Sequence, residues 1–236
     1  MTMKHFLFWI AAADFLLVLA IRGKTWVPYK TLLTTLPDVQ EEIVNVHNSF
    51  RRNVTPSASN MLKMSWNEDA AANARTLSSQ CNPENSYIPD RRVGEKFCGE
   101  NILFTYSSIP WSDVIGIWYD ESQYFTYGIL NRTNKRIDHY TQVVWATSYL
   151  IGCSVTLCHQ RRSKRFLYIC HYCHEGNLVH LLEPYKAGAP CSQCPDACED
   201  KLCSKFYTFS LLKIGCSHVM VRTYCKASCL CTTEIK

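Results

Sequence analysis

The chain predicts an α+β domain, with helices packed on the faces of a small sheet, followed by a short tail held together by disulfides. Three observations lead there. Helical periodicity recurs in the first half, two β-rich segments lie beyond residue 150, and cysteine is concentrated towards the C-terminal end. At 236 residues the chain holds one full domain and at most a small second one. Hydrophobic residues make up 47% and charged residues 19%, which excludes a disordered or collagen-like chain. The 25 basic and 20 acidic residues leave a mild, dispersed charge of +5, which argues against nucleic acid as a partner.

Lys4 and His5 precede an apolar run from Phe6 to Ile21, and Val18-Leu19-Ala20 places compact side chains where a signal peptidase reads. Residues 1–20 therefore read as a secretory signal, and the mature protein as extracellular. Asp14 interrupts the run; an anion there costs about 2.5–3.5 kcal/mol on the membrane-insertion scale, which weighs further against a permanent span.

From Pro37 to Arg52, Val39, Ile43, Val46 and Phe50 recur at helical steps and form one stripe, with His47 beside it. Ser65-Trp66-Asn67-Glu68 has the pattern of a capping box, so a second helix is expected to start at Ser65 and carry Trp66, Ala70, Ala74 and Leu77 on one face. A third is expected from about Ser112, with Val114, Ile115, Trp118 and Tyr119 inward. Ile151 to Leu157 and Arg165 to Tyr172 are rich in β-branched and aromatic residues and flank the polar stretch His159 to Lys164, so they read as an antiparallel strand pair. The basic run Arg161-Arg162-Ser163-Lys164-Arg165 between them reads as a solvated hairpin loop, the other reading being a heparin or anionic-lipid patch. Pro184, Gly188, Pro190 and Pro195 then punctuate a stretch without apolar periodicity, which closes the large domain.

Of the 14 cysteines, six precede residue 190 and eight fall in the last 46 residues, the density of a disulfide scaffold. Cys170-x-x-Cys173 and Cys191-x-x-Cys194 also satisfy the spacing of a four-cysteine zinc site. The oxidising compartment implied by a secretory signal favours disulfides over that reading.

Two longer stretches carry a family resemblance. Asp138-His139-Tyr140-Thr141-Gln142-Val143-Val144-Trp145-Ala146-Thr147-Ser148 and Leu167 to Leu178 resemble the two signature motifs of the CAP superfamily. The run from Pro184-Tyr185 through Pro190-Cys191-Ser192-Gln193-Cys194-Pro195 to Cys203 resembles the hinge of its cysteine-rich secretory proteins. Asn60 to Trp66, Trp145 to Cys153 and Cys225 to Lys236 look most like a mammalian epididymal member. The resemblance implies a three-layer α-β-α sandwich CAP domain over 21–183, a disulfide hinge over 184–203 and a partial cysteine-rich, ion-channel-regulator-like module over 204–236.

In that superfamily two histidines and two acidic residues meet in a central cleft. Carried over, the positions fall on His47, Glu100, His139 and Asp69, the last an aspartate where glutamate is usual. Glu68 is the nearby alternative, and its capping-box position gives it a structural role instead. This set implies a weakly bound zinc on His47 and His139, with Asp69 and Glu100 orienting the rings or bound water. The family pairing implies the disulfides Cys81–Cys158, Cys98–Cys173, Cys153–Cys170, Cys191–Cys198, Cys194–Cys203 and Cys216–Cys229, and leaves Cys225 and Cys231 without their usual partners. Two glycosylation sequons stand at Asn53 and Asn131, and Pro56 after the first favours Asn131.

The function so implied is that of a secreted, non-enzymatic binding glycoprotein that associates with the sperm surface in sperm maturation and sperm-egg interaction. Its implied partners are sperm-surface or egg-surface proteins, with ion channels and membrane sterol or lipid as further classes. Two other readings remain: an ion-channel modulator acting through the C-terminal module, and a metal-dependent hydrolase with Glu100 as general base. Against the hydrolase, the sequence contains neither His-Glu-x-x-His nor Gly-x-Ser-x-Gly.

Overall fold

A computed structural model describes residues 26–82, 84, 86–130, 134–160, 163–173 and 181–204. The expected signal over 1–20, the sequon residue Asn131, the arginines Arg161 and Arg162, and Cys216, Cys225, Cys229 and Cys231 lie outside these residues.

Helix α1 spans Pro37–Arg52, with proline and Asp38 in its first turn and Arg51 and Arg52 in its last, an arrangement that suits both the missing proline N–H and the helix dipole. Val39, Ile43, His47, Asn48 and Arg51 are its buried residues, so the inward face is only half apolar. The polar members are satisfied. Asn48 Nδ2 donates to the Met64 carbonyl at 3.0 Å, and its Oδ1 accepts from the Met64 amide at 2.8 Å, which fastens the following loop to the helix.

The second helix corrects the sequence reading. Ser65–Trp66 form strand β1, and helix α2 starts at Glu68 and runs to Ser78. Asn67 is its N-cap, with Oδ1 accepting from the Ala70 amide at 2.8 Å, while Glu68 pairs with the Trp66 indole at 3.1 Å and with Arg75. Backbone pairing of Ser65 with Leu150 outcompetes the capping role that its spacing suggested.

Strands β2 (Arg92–Val93) and β3 (Lys96–Thr105), helices α3 (Trp111–Tyr119) and α4 (Asp138–Val143), and strands β4 (Leu150–Gln160) and β5 (Ser163–Cys173) complete the large unit. The sheet has the order β1-β4-β5-β3-β2, in which only β1 and β4 are parallel. β3 escapes a propensity reading because Gly99, Glu100 and Asn101 at its middle are residue types depleted in strands. One face of the sheet carries Ile151, Cys153, Val155, Tyr168, Cys170 and Tyr172 and packs on α1, α3 and α4; the other carries Leu167 and Ile169 and packs on Ala74 and Leu77 of α2. Alternation along the strands thus builds a three-layer α-β-α sandwich.

Ala70, Ala71 and Ala74 are fully buried, and α2 lies so close on β4 that a Cβ at Gly152 would fall 2.1 Å from the Ala71 amide nitrogen. Backbone cannot yield as a flexible side chain does. Gly152→Ala is therefore expected to cost about 3 kcal/mol by overpacking, read as a lowered denaturation midpoint. An unchanged midpoint would show that the helix lifts off without penalty.

Arg165 leaves the solvated basic loop that the sequence suggested. Its guanidinium lies 4.7 Å from the Tyr106 ring centre and 5.5 Å from that of Phe104, and it donates to the Tyr106 hydroxyl at 3.1 Å.

The segment beyond Pro184 is fastened to the large unit by backbone. The Cys203 amide donates to the Met61 carbonyl at 2.8 Å, the Lys63 amide to the Cys203 carbonyl at 2.8 Å, and the Ser59 amide to the Lys186 carbonyl at 2.8 Å. Strands β6 (Cys198–Glu199) and β7 (Leu202–Cys203) form a small hairpin there. Five disulfides brace the described chain: Cys81–Cys158, Cys98–Cys173, Cys153–Cys170, Cys191–Cys198 and Cys194–Cys203. Cys98 with Cys173, and Cys153 with Cys170, stand directly opposite each other on neighbouring strands. Cys170, Cys173, Cys191 and Cys194 each belong to a different disulfide, so the four-cysteine zinc reading does not hold. No helix among the described residues is long and apolar enough to cross a membrane.

Candidate functional site

The helix α4 N-terminus forms the site. α3 ends at Tyr119 and a single 3-10 turn, Asp120–Tyr124, carries Glu121 across to the first turn of α4. Glu121 Oε2 accepts from the backbone amides of His139 at 2.9 Å and Tyr140 at 3.2 Å, groups that no preceding helical turn can satisfy. Its Oε1 lies 2.7 Å from His139 Nδ1. A carboxylate can only accept, so Nδ1 carries a proton, and in the neutral ring Nε2 is the nitrogen with the lone pair. Asp138, beside it, receives both arms of Arg136: Nε to Oδ1 at 3.0 Å and Nη2 to Oδ2 at 2.6 Å. Burial opposes the Asp138 charge, but this fork outweighs it and holds the carboxyl pKa below its usual value. Ligand atoms of Glu121, Asp138 and His139 lie within 4.8 Å of one another, a group able to hold a metal ion.

The other expected members of the cleft are elsewhere engaged. His47 is fully buried on α1. Its Nδ1 donates to the Ile43 carbonyl at 2.8 Å, which fixes the tautomer, and its Nε2 accepts from the Tyr172 hydroxyl at 3.0 Å. Neither nitrogen is available to a metal. Burial, opposed by the Ile43 bond and reinforced by the nearby Arg51 charge, lowers the His47 pKa to about 3. Asp69 is exposed in the first turn of α2 and does not join the group. Those two assignments are corrected: Glu121 and Asp138 stand with His139 where His47 and Asp69 were expected.

Glu100 sits on β3 opposite His171 of β5. Alternation places it on the face of Ile102 and Phe104, which belong to the α2 side, whereas the next residue, Asn101, turns to the α4 side and donates to the His139 carbonyl at 3.1 Å. Glu100 accepts from the Ser86 amide at 2.9 Å, from the Ser86 hydroxyl at 2.7 Å and from His171 Nε2 at 3.0 Å. Burial works against its charge, but His171 and Ser86 together hold its pKa below the usual carboxylate value. A carboxylate that keeps its charge in this way is a weak general base. The order is also wrong for a nucleophile: Ser86 bonds to the carboxylate and not to the imidazole.

Glu121 was missed because it stands 18 residues from His139 in the chain. The available signal was the inward stripe of α3: Glu121 follows the buried Trp118 by three residues, which puts a carboxylate on a face otherwise apolar. Asn53 is exposed at the end of α1, with its side-chain amide donating to the Ser49 carbonyl at 2.9 Å. Apart from the site, a cavity of about 530 Å³ opens between the end of β3 and α3, lined by Tyr106, Ile109, Asp113, Ile117 and Asp120 among others.

Residues 44–172 match the family described as CAP, cysteine-rich secretory protein family. The whole chain is similar to cysteine-rich secretory protein 1 of Macaca mulatta, 51% identical over 249 aligned positions that cover 100% of both. Among solved structures, Na-ASP-1 matches at 29% identity with a TM-score of 0.59, over 70% of this chain and 46% of its own length. NaASP2, solved with Zn2+, matches at 25% identity with a TM-score of 0.60, over 72% of this chain and 96% of its own. Sandwich, disulfide-braced C-terminal segment and sequence agree: the chain belongs to the cysteine-rich secretory protein family of CAP proteins.

Proposed function

We propose that this protein is a secreted, non-enzymatic binding glycoprotein that associates with the sperm surface and acts in sperm maturation and sperm-egg interaction through recognition of surface proteins. Its similarity over the full length to a cysteine-rich secretory protein 1 supports the family role. One observation carries the non-enzymatic part: the acids and bases of the site are spent on holding one another. Glu121 orients His139 and caps α4, Asp138 is forked by Arg136, and Glu100 is locked between Ser86 and His171. All ten cysteines among the described residues are disulfide-bonded, so none offers a thiolate. What remains is a rigid cross-linked scaffold of the kind that presents surface.

A weakly held zinc fits the donor set. The His139 Nε2 lone pair and an Asp138 oxygen would be its ligands, with Glu121 fixing the ring from behind as outer partners of metal-bound histidines commonly do. Bound there, zinc would offer a Lewis-acidic contact for an oxygen of a partner. The protein's own residues orient that contact, and the two carboxylates beside it are already engaged, Asp138 by Arg136 and Glu121 by the α4 amides and His139.

The test uses the purified full-length protein with zinc added. Saturable binding to live sperm, with no turnover of a peptide and ester library above buffer, is the expected result; known enzymes exceed the uncatalysed rate by about a millionfold or more, so activity would be plain. Turnover that disappears in Glu100→Gln or His139→Ala would replace this reading with the hydrolase.

A further inference from the structure

The Arg136 guanidinium lies against two of the three side chains that could hold a metal ion, Asp138 and His139. Its Nη2 is 2.6 Å from Asp138 Oδ2 and 3.4 Å from His139 Nε2, and its Nε holds the other Asp138 oxygen at 3.0 Å. Because His139 Nδ1–H donates to Glu121, the Nε2 lone pair of the neutral ring, which Arg136 faces, is the one with which this imidazole would bind metal. A single side chain of the same strand of sequence thus engages two of the three donors in the group, and the third, Glu121, is committed to the α4 amides.

We propose that Arg136 is an intramolecular cation that competes with a divalent metal for His139 and Asp138 and so sets the metal affinity of this site. The inference rests on the zinc reading given above and adds the residue that governs it. Competition, as opposed to a permanent block, follows from exposure. The side chains of Arg136 and Asp138 are 62% and 43% exposed, so the pair is worth no more than a typical surface ion pair and yields to a stronger cation. Its cost to the metal is twofold: the Asp138 fork must open, and a full positive charge must leave the immediate surroundings of the ion. Glutamine at 136 keeps the length and polarity of the side chain without charge or fork.

Zinc titration calorimetry on the full-length protein tests this. Arg136→Gln is expected to bind Zn2+ roughly tenfold more tightly than wild type, with the gain abolished when His139→Ala is added to the same chain. Equal or weaker binding by Arg136→Gln than by a zinc-binding wild type overturns the competition and leaves the zinc reading standing. Tighter binding that survives His139→Ala also overturns it, since the ion then sits elsewhere. Failure of both wild type and Arg136→Gln to bind removes the zinc reading together with this inference. Arg136 lies outside the core, and a thermal midpoint without metal that matches wild type checks that the comparison is between folded proteins.

Discussion

Arg51→Met is expected to destabilise the protein by about 4 kcal/mol, with Arg51→Lys losing about half as much. The guanidinium is fully buried and donates five hydrogen bonds to backbone carbonyls: two to Leu62 at 2.8 and 3.1 Å, two to Val143 and Trp145 at 3.0 and 2.7 Å, and one to Ala146 at 3.1 Å. It therefore clamps the end of α1 to the loop after it and to the end of α4. Burial lowers its pKa to about 9, which leaves it charged at neutral pH. The Ala146 and Trp145 carbonyls also have backbone donors, Leu62 and Ser148, whereas Arg51 is the donor for those of Leu62 and Val143. Methionine fills the volume and leaves these two acceptors buried without a donor. Lysine keeps the charge but offers three donors from one atom, too few and too close together to span the cage. For a chain of this size the methionine variant should melt roughly 10 °C lower, and a loss below about 1 kcal/mol would mean that water takes over the cage.

Acid is expected to weaken the fold well above the range in which carboxylates titrate, and His47 is the reason. Its pKa falls from 6.5 to about 3 on folding, so between those values the unfolded chain binds a proton that the folded one refuses. Stability therefore drops as pH falls through that window, by about 2 kcal/mol between pH 7 and pH 5. Protonating Nε2 would place a donor against the Tyr172 hydroxyl, whose oxygen already accepts from Asn101 at 3.3 Å, and a second positive charge near Arg51. Glu100 acts in the same direction but lower. Its pKa is depressed on folding, so its contribution is present above the usual carboxylate range and lost as pH falls through its folded value. Urea midpoints at pH 7 and pH 5 separate the two: His47→Gln should remove most of the difference, and a slope identical to wild type would exonerate the histidine.

Much of the architecture could be read from local pattern. The stripe Val39, Ile43, Val46, Phe50 marks α1, the β-rich texture marks β4 and β5, and cysteine density marks the cross-linked tail. These signals survive without tertiary context because helical and strand periodicities are set by backbone geometry alone. Where the reading failed, a non-local partner had intervened. Ser65 pairs in a strand with Leu150, its amide donating to the Tyr149 carbonyl at 2.8 Å, instead of capping a helix, and Gly99 pairs in a strand with Tyr172, with the Gln142 side chain in the place a Cβ would take. Histidine chemistry shows the division most plainly. Sequence marks His47 and His139 as equals, but burial and the Tyr172 hydroxyl make one a neutral core residue, while the other is held between Glu121 on Nδ1 and Arg136 on Nε2. Sequence by itself determined the family, the layers and the cross-linked character of the chain. Which acid and base groups meet was decided only by the folded chain, because a hydrogen bond depends on distance in space and residues 18 apart acquire that distance through the turn between α3 and α4.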